Sequence, residues 1–495
     1  VPALRNLTVR RLSPLNHGSI PSPIPGGEVA RVSRKVETWA GQFGEIKFVP
    51  GDDAGVSLEL VGVEVDSILA SAAPLDTPGA REVLVRRLLA EELDLRTTDQ
   101  MFGGQLDLVW RGSKRSAEVV FGSIRPGGGL RDDQFAPSDD TTWRLVIDYP
   151  FDHEAYQPAD ARARVEALAG AGEPRRTVCW VPTHLTAARI GDLRMLVILD
   201  ALLGGSGQRF DSHAQHLNPD DRQRARGILK SRYDALLTRF RGLLRQAYGL
   251  AEKQPADVQT EYSDHLLPLW PGVHPALPFG ATMRDAARRV VADLLAEQFP
   301  GHPDLDPDRL GAPVRPADLK VVFDYVQQAS EAPGGRVEVA RTHRLTMRRI
   351  APALGLGEMH EAAFVLGRHW VGHFHQKAAQ EGRGDGDPLA VADLLRWIDE
   401  PDPRGLDRPV AGLLLACFAE QTDRAWYRYG GALNPPPDLT AITSDMELRG
   451  QTLPSEADWA TARARAAKIF GVHAPELLRG RLVRSFVADV QAAAR

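Results

Sequence analysis

The longest periodic stretch in the chain lies between Asn218 and Leu250, and it constrains the fold more than any other feature. Leu229, Tyr233, Leu236, Phe240, Leu243, Ala247 and Leu250 recur at spacings of four and three, which lays an apolar seam along one side of a helix. Asn218-Pro219-Asp220 supplies the start, with a capping side chain, a proline where no N–H is needed, and an acid near the positive end of the helix dipole. A helix of this size is about 45 Å long.

The same stretch carries eight basic residues, Arg222, Arg224, Arg226, Lys230, Arg232, Arg239, Arg241 and Arg245, against Asp220, Asp221 and Asp234. Such an excess attracts a polyanion with salt-dependent affinity, and Arg222, Arg226, Lys230, Arg239 and Arg241 are the candidate DNA contacts here. The alternative is a solvated helix whose arginines pair with acids elsewhere, in a chain where 52 of 60 basic residues are Arg. Arg111, Lys114 and Arg115 form a second basic patch at an expected hairpin tip. Over the whole chain Asp+Glu number 65 and the net charge is −5, which excludes a globally basic DNA-wrapping protein and leaves only local basic faces.

Around that helix, pattern changes divide the 495 residues into four segments. Residues 1–95 read as a mixed helix and hairpin unit: Val29, Val32, Val36, Trp39 and Phe43 follow helical spacing, then EIKFV (45–49) and VSLELVG (56–62) flank the turn PGDDAG, and a second helix carries Val83, Leu84, Leu88, Leu89 and Leu93. Two helices and a hairpin suggest a winged-helix-like unit. Residues 96–205 read as an α/β unit, with the short apolar strands LDLVW (106–110), AEVVFGSI (117–124), WRLVIDYP (143–150) and TVCWVP (177–182) and a helix at 158–169. Residues 206–345 are a helical unit built on the Arg-rich helix, and 346–495 a helical C-terminal unit, with helices expected at 283–298, 316–331, 339–354, 358–380 and 475–494. Ser455-x-x-Asp458 caps one more. The fold class is therefore α/β with mainly α. The longest apolar run, Ala411–Ala419, is about half of a membrane span. Cys179 and Cys417 sit in apolar surroundings and read as buried free thiols. With no leader visible, the expectation is a soluble, cytoplasmic, multidomain protein. The chain begins with Val1, which suggests the later part of a longer protein, a trimmed N-terminus being the alternative.

Chemical motifs are few. No G-x-x-x-x-G-K-[ST] phosphate loop occurs; Gly112-Ser113-Lys114-Arg115 lacks the upstream glycine and sits in a turn before a strand. Asp148 ends the apolar run LVID, where a strand-terminal carboxylate can hold Mg²⁺ beside a nucleotide, or else DYPFD is a structural turn whose Asp accepts backbone N–H groups. His369 and His373 are four apart, hence on one helix face and able to share a metal ion, with His360, His375 or Glu361 as a third ligand; half-buried surface histidines are the alternative. No nucleophile elbow appears.

The wording of several stretches resembles the PglY/BrxC-type large ATPases of bacterial phage-defence (Pgl/BREX) systems, most of all the phage growth limitation type. These stretches are LNHGSIPSPIPG (15–26), WRGSKRSAEVVFGSIR (110–125), WRLVIDYPFD (143–152), RVEVARTHRLTMRRIAPALGLGEMHEAAFVLGRHW (336–370), DLLRWIDEPDPRGLDRPVAGLLLACFAEQTDR (393–424) and DMELRGQTLPSEADWATARARAAKIFGV (445–472). The resemblance implies a P-loop ATPase site, with ATP and Mg²⁺, in an N-terminal part that this chain lacks, so no ATP-binding residue can be assigned here. It also implies a DNA methyltransferase, an alkaline-phosphatase-like protein and a kinase as partners. The leading expectation is a non-catalytic C-terminal region serving partner assembly, DNA engagement or both. A free-standing metal-dependent hydrolase using His369 and His373, and a plain helical scaffold, are the other readings.

Overall fold

In the computed structural model the chain divides into two units, Val1–Asp107 with Ser116–Leu294, and Leu108–Arg115 with Leu295–Arg495. The structure describes residues 7–495 except 16–18, 21, 23, 25, 44–45, 59–64, 98–102, 128, 155, 206–207, 261–263 and 385. Parts of the 15–26 and 56–62 motifs lie outside the described residues.

The first unit opens with β1 (Leu7–Thr8), α1 (Val9–Leu15), α2 (Gly27–Gln42), β2 (Ile46–Val49) and β3 (Gly55–Leu58). The expected hairpin forms, with Val49 opposite Gly55, and β1 pairs with the other edge of β3. Val9, Val32, Val36, Ala54 and Val56 make its small core. Trp39 and Phe43, expected on the same apolar face, are 40% and 52% exposed. Phe43 lies beyond the helix end in extended backbone, and Trp39 carries the Lys35 ammonium 5.4 Å from its ring.

After α3 (Asp66–Ala72), α4 (Pro78–Leu93) starts at a Thr77 cap, whose side chain accepts the Ala80 N–H at 3.2 Å. It buries Leu84, Val85, Leu88, Leu89 and Leu93, while Val83, expected on that face, is exposed. Then come β4 (Arg96–Thr97), β5 (Gly103–Trp110), β6 (Ser113–Phe121), β7 (Arg144–Ile147), α5 (Pro158–Ala171), β8 (Thr177–Trp180), α6 (Ala187–Leu203), α7 (Gln208–His213), α8 (Pro219–Ala247), β9 (Leu266–Pro268) and α9 (Met283–Gln298). The six strands β4 to β9 form one sheet in chain order, with β6, β7 and β8 parallel and Val120, Val146 and Cys179 in register. Val146 and Cys179 face Ala161 and Val165 of α5. On the other face Trp180 Nε1 donates to the Tyr248 carbonyl just past α8, at 3.1 Å. Strands apolar at every position are those covered on both sides.

α8 begins at the expected cap, the Asn218 side chain accepting from the Asp221 N–H. Its seam packs on α6 and α2: Leu236 lies where a side chain at Gly41 would fall, and Arg232 Nε donates to the Gly41 carbonyl at 2.9 Å. Because this one helix touches both the N-terminal elements and the sheet-covering layer, segments that differ in sequence character share one unit.

The second unit is helical with two small antiparallel sheets. Its elements are α10 (Pro316–Glu331), β10 (Arg336–Glu338), α11 (Arg344–Ile350), β11 (Gly357–Met359), β12 (Ala363–Leu366), α12 (His369–Gln380), β13 (Leu389–Ala390), α13 (Val391–Ile398), α14 (Arg408–Gln421), β14 (Arg424–Arg428), β15 (Gly431–Ala432), β16 (Met446–Gly450), α15 (Glu456–Phe470) and α16 (Gly480–Ala493). The helix expected at 339–354 is confined to α11, and that expected at 358–380 is a hairpin followed by α12. Gly357 decides the matter: at φ 153° it crosses the next strand so closely that a Cβ would lie 2.2 Å from the Val365 carbonyl oxygen. The second sheet, in the order β13-β16-β14-β15, lies within the segment expected to be helical. The apolar run 411–419 lies within α14 and is buried on all sides. Among the described residues no helix is long and apolar enough to cross a membrane, and both cysteines are buried and free.

α15 and α16 form a core of their own, Trp459, Ala466 and Phe486, with the Trp459 and Phe486 rings edge to face at 5.0 Å. Polar contacts hold it to the rest of the unit: Arg479 pairs with Asp423 at 2.8 Å, and Arg481 with Glu331 and Glu420.

Candidate functional site

Beyond the carboxyl ends of β6 and β7, where open α/β sheets commonly bind ligands, lies a cavity of about 260 Å³. Glu82 and Arg86 of α4, Ser123 and Arg125 after β6, and Tyr149, Asp152 and His153 after β7 line it. Asp148 does not. Its carboxyl is buried beneath, with Oδ1 accepting the Tyr149 N–H at 2.8 Å, while its carbonyl accepts the Tyr248 hydroxyl. Burial pushes its pKa up to about 7, against the opposing Tyr149 and Ile124 N–H groups. Of the two readings of DYPFD, the geometry matches the structural turn. This carboxyl, buried and directed at backbone, does not fit a Mg²⁺-holding role beside a nucleotide. The acid that faces the cavity, Asp152, pairs with Arg125 at 3.2 Å; Arg125 also reaches Glu154 at 3.1 Å, and His153 lies 3.3 Å from Glu82. The cavity's charged groups thus largely neutralise one another.

Every basic side chain of α8 has a partner inside its own unit. Arg241 pairs with Glu91 and Glu92 at 3.0 and 3.1 Å, and Arg239 with Asp192 at 3.4 Å. Arg224 pairs with Asp221 at 3.4 Å and Lys230 with Asp234 at 2.7 Å. Arg222, Arg232 and Arg245 donate to the carbonyls of Leu217, Gly41 and Gly280, and Arg226 lies over the Phe210 ring. Burial lowers the pKa of Arg239. Asp200, near the end of α6, accepts from Arg87 and from the Tyr233 hydroxyl of α8.

The second basic patch is a hairpin tip, as expected, and its arginines turn inward. Arg111 (φ 47°) and Gly112 (φ 79°) are both left-handed, as a two-residue type I′ turn requires. Arg111 donates to the His302 carbonyl at 2.9 Å and Arg115 pairs with Asp407 at 3.2 Å, leaving Lys114 exposed. His302 bridges Ser113 and the Arg404 carbonyl and stacks on Trp110, and burial drives its pKa down to about 4.

His369 and His373 do share one face of α12, with nearly parallel rings 6.2 Å apart. His373 Nε2 contacts the Trp397 carbonyl at 2.7 Å, and His375 packs edge-on to Phe418. His360 lies 3.9 Å from Glu358, on the hairpin before α12. Among the described residues no group of three or more His, Cys, Asp or Glu side chains is arranged to hold a metal ion.

A further apolar surface lies on the C-terminal helix pair, where the sequence predicts only helices. Ile469 is 67% exposed, Val487 46% and Phe470 39%, and they border a groove of about 280 Å³ floored by Ala462, Ala466, Phe486 and Val490. Arg465 lines this groove; it and Lys468 are exposed, and neither has a carboxylate partner among the described residues. The signal was present in the 3-4-3 spacing of Trp459, Ala462, Ala466 and Ile469, matched by Val483, Phe486 and Val490.

Comparison with known proteins gives three family-model matches in chain order. The BREX System ATPase PglY protein 2nd domain matches residues 1–52, the PglY fourth domain residues 68–299, and the BREX System ATPase PglY protein 5th domain residues 317–419. No solved structure matches the chain.

Proposed function

Because the chain belongs to the PglY family of BREX systems, we propose that it serves as an assembly region on which other proteins of that system dock, coupled to ATP hydrolysis carried out elsewhere in the parent protein. The single observation that carries this reading is the apolar groove of α15 and α16, rimmed by the exposed side chains of Ile469, Phe470 and Val487. Exposed apolar surface bordered by polar residues marks docking sites in soluble proteins. The methyltransferase, the phosphatase-like protein and the kinase of such a system are the partners to test. In co-purification with each of them, the wild-type chain retains at least one, and the Ile469→Asp, Val487→Asp variant loses it while melting normally. If the wild-type chain retains none of the three, the assembly reading fails.

DNA engagement is a second reading, and one observation favours it. Arg10, Arg11, Arg31, Arg34 and Lys35 on α1 and α2 are exposed and give these N-terminal helices a basic surface. Reversing Arg31, Arg34 and Lys35 weakens duplex binding and flattens its salt dependence, whereas reversing Lys230 on α8 leaves the slope unchanged. A slope that no substitution in α2 alters removes this unit from DNA contact.

A further inference from the structure

Resting on the assembly reading, we infer that the α15–α16 groove receives one amphipathic helix with acidic flanks, presented by a partner protein. Two helices whose shared core is only Trp459, Ala466 and Phe486 make part of a bundle, and a third helix laid along the groove completes it. The floor admits one closely. Ala462 and Ala466 are small, so a helix axis can approach to about 8–10 Å, and Ile469, Phe470 and Val487 flank it as two apolar walls. Anchors at i, i+3, i+4 and i+7 on the incoming helix match such walls.

Charge selects the flanks. The acids of α15 lie in its first turn, where Ser455 and the helix dipole hold Glu456 and Asp458. At the groove end its cations are Arg465 and Lys468, and the neighbouring acid Glu476 lies beside Arg463 instead. Arg479 and Arg481 are occupied by Asp423, Glu331 and Glu420. An incoming helix with glutamates beside its apolar stripe would supply the missing carboxylates. A second copy of this chain would not, because two-fold pairing through the groove brings the same cations onto one interface.

The probe is a labelled synthetic helix of about 18 residues with a leucine stripe, made with glutamate flanks or with lysine flanks. By fluorescence anisotropy the full chain binds the glutamate form at least about tenfold more tightly, and added salt narrows the gap. Arg465→Glu with Lys468→Glu reverses the preference, and Ile469→Asp abolishes binding of both forms. All three positions are exposed, and an unchanged melting curve confirms that the variants are folded. Equal binding of the two peptides, binding of neither, or a preference that survives the charge reversal overturns the proposal. So does concentration-dependent dimerisation that Ile469→Asp removes, which assigns the groove to a second copy. The co-purification test above can succeed while this one fails, in which case assembly stands and the acidic-helix chemistry falls.

Discussion

The long helix α8 and the C-terminal pair α15–α16 are built from the same materials, an apolar seam at spacings of three and four and a set of arginines beside it. In α8 the seam is covered by α6 and α2, and every basic group meets a carboxylate, a carbonyl or an aromatic ring. In α15–α16 only the inner seam is covered, and Ile469, Val487, Arg465 and Lys468 face outward. The difference lies in how many elements surround each helix. An arginine count therefore says little about available charge, and a helical period says little about whether its face is already taken.

The comparison can be broken most forcefully at the two aromatic anchors. Phe240→Ala, at a site 1% exposed, costs about 3–5 kcal/mol of unfolding free energy. Phe486→Ala, 8% exposed in a three-residue core, costs clearly less, about 2 kcal/mol, and loosens 455–495 alone. Urea unfolding of each variant with limited proteolysis checks this, and equal losses would erase the contrast.

The next largest effect sits where the end of α8 covers Asp148. A carboxyl whose folded pKa is raised to about 7 contributes stability that is present below its unfolded value of 3.8 and lost as pH rises through 7. Asp148→Asn removes that decline, worth up to about 4 kcal/mol at ~1.4 kcal/mol per tenfold change in proton affinity. Over nearly the same window three histidines act with the opposite sign. His184 and His265 in the first unit and His302 in the second, all lowered to about 4 by burial, lose their contribution as pH falls from 6.5 through 4. Unfolding curves between those limits give the slope, and an Asp148→Asn variant with the wild-type slope contradicts the buried-acid account.

Smaller still, Arg239→Glu places a carboxylate beside Asp192 and within reach of Glu37, and costs about 2–3 kcal/mol. Arg465→Glu and Ile469→Asp, on the exposed rim, change stability by less than about 0.5 kcal/mol. Thermal melts of the three variants sharpen the contrast between occupied and unoccupied charge.

How much was legible depended on whether the deciding interaction was local. The cap at Asn218, the seam of α8, the PGDDAG hairpin and the cap at Ser455 rest on residues a few positions apart, and all appear where expected. The 357–366 hairpin was misread because the period of MHEAAFVL competes with a strand crossing that only Gly357 permits. Val83 and Trp39 lay on apolar faces by spacing, yet both stay largely exposed. At the candidate sites, DYPFD and the His369–His373 pair were recognisable as motifs. Whether Asp148 would face a cavity or its own backbone depended on Tyr248, one hundred residues away.

The sequence by itself determined the family, the mainly helical α/β class, the apolar strands and the turns, because propensity, capping and periodicity act over a few residues. Only the tertiary structure decided which charges and which apolar faces remain available. Arg241 meets Glu91 across 150 positions, while Arg465 finds no such partner among the described residues. Burial and ion pairing are properties of neighbours in space, and no spacing along the chain encodes them.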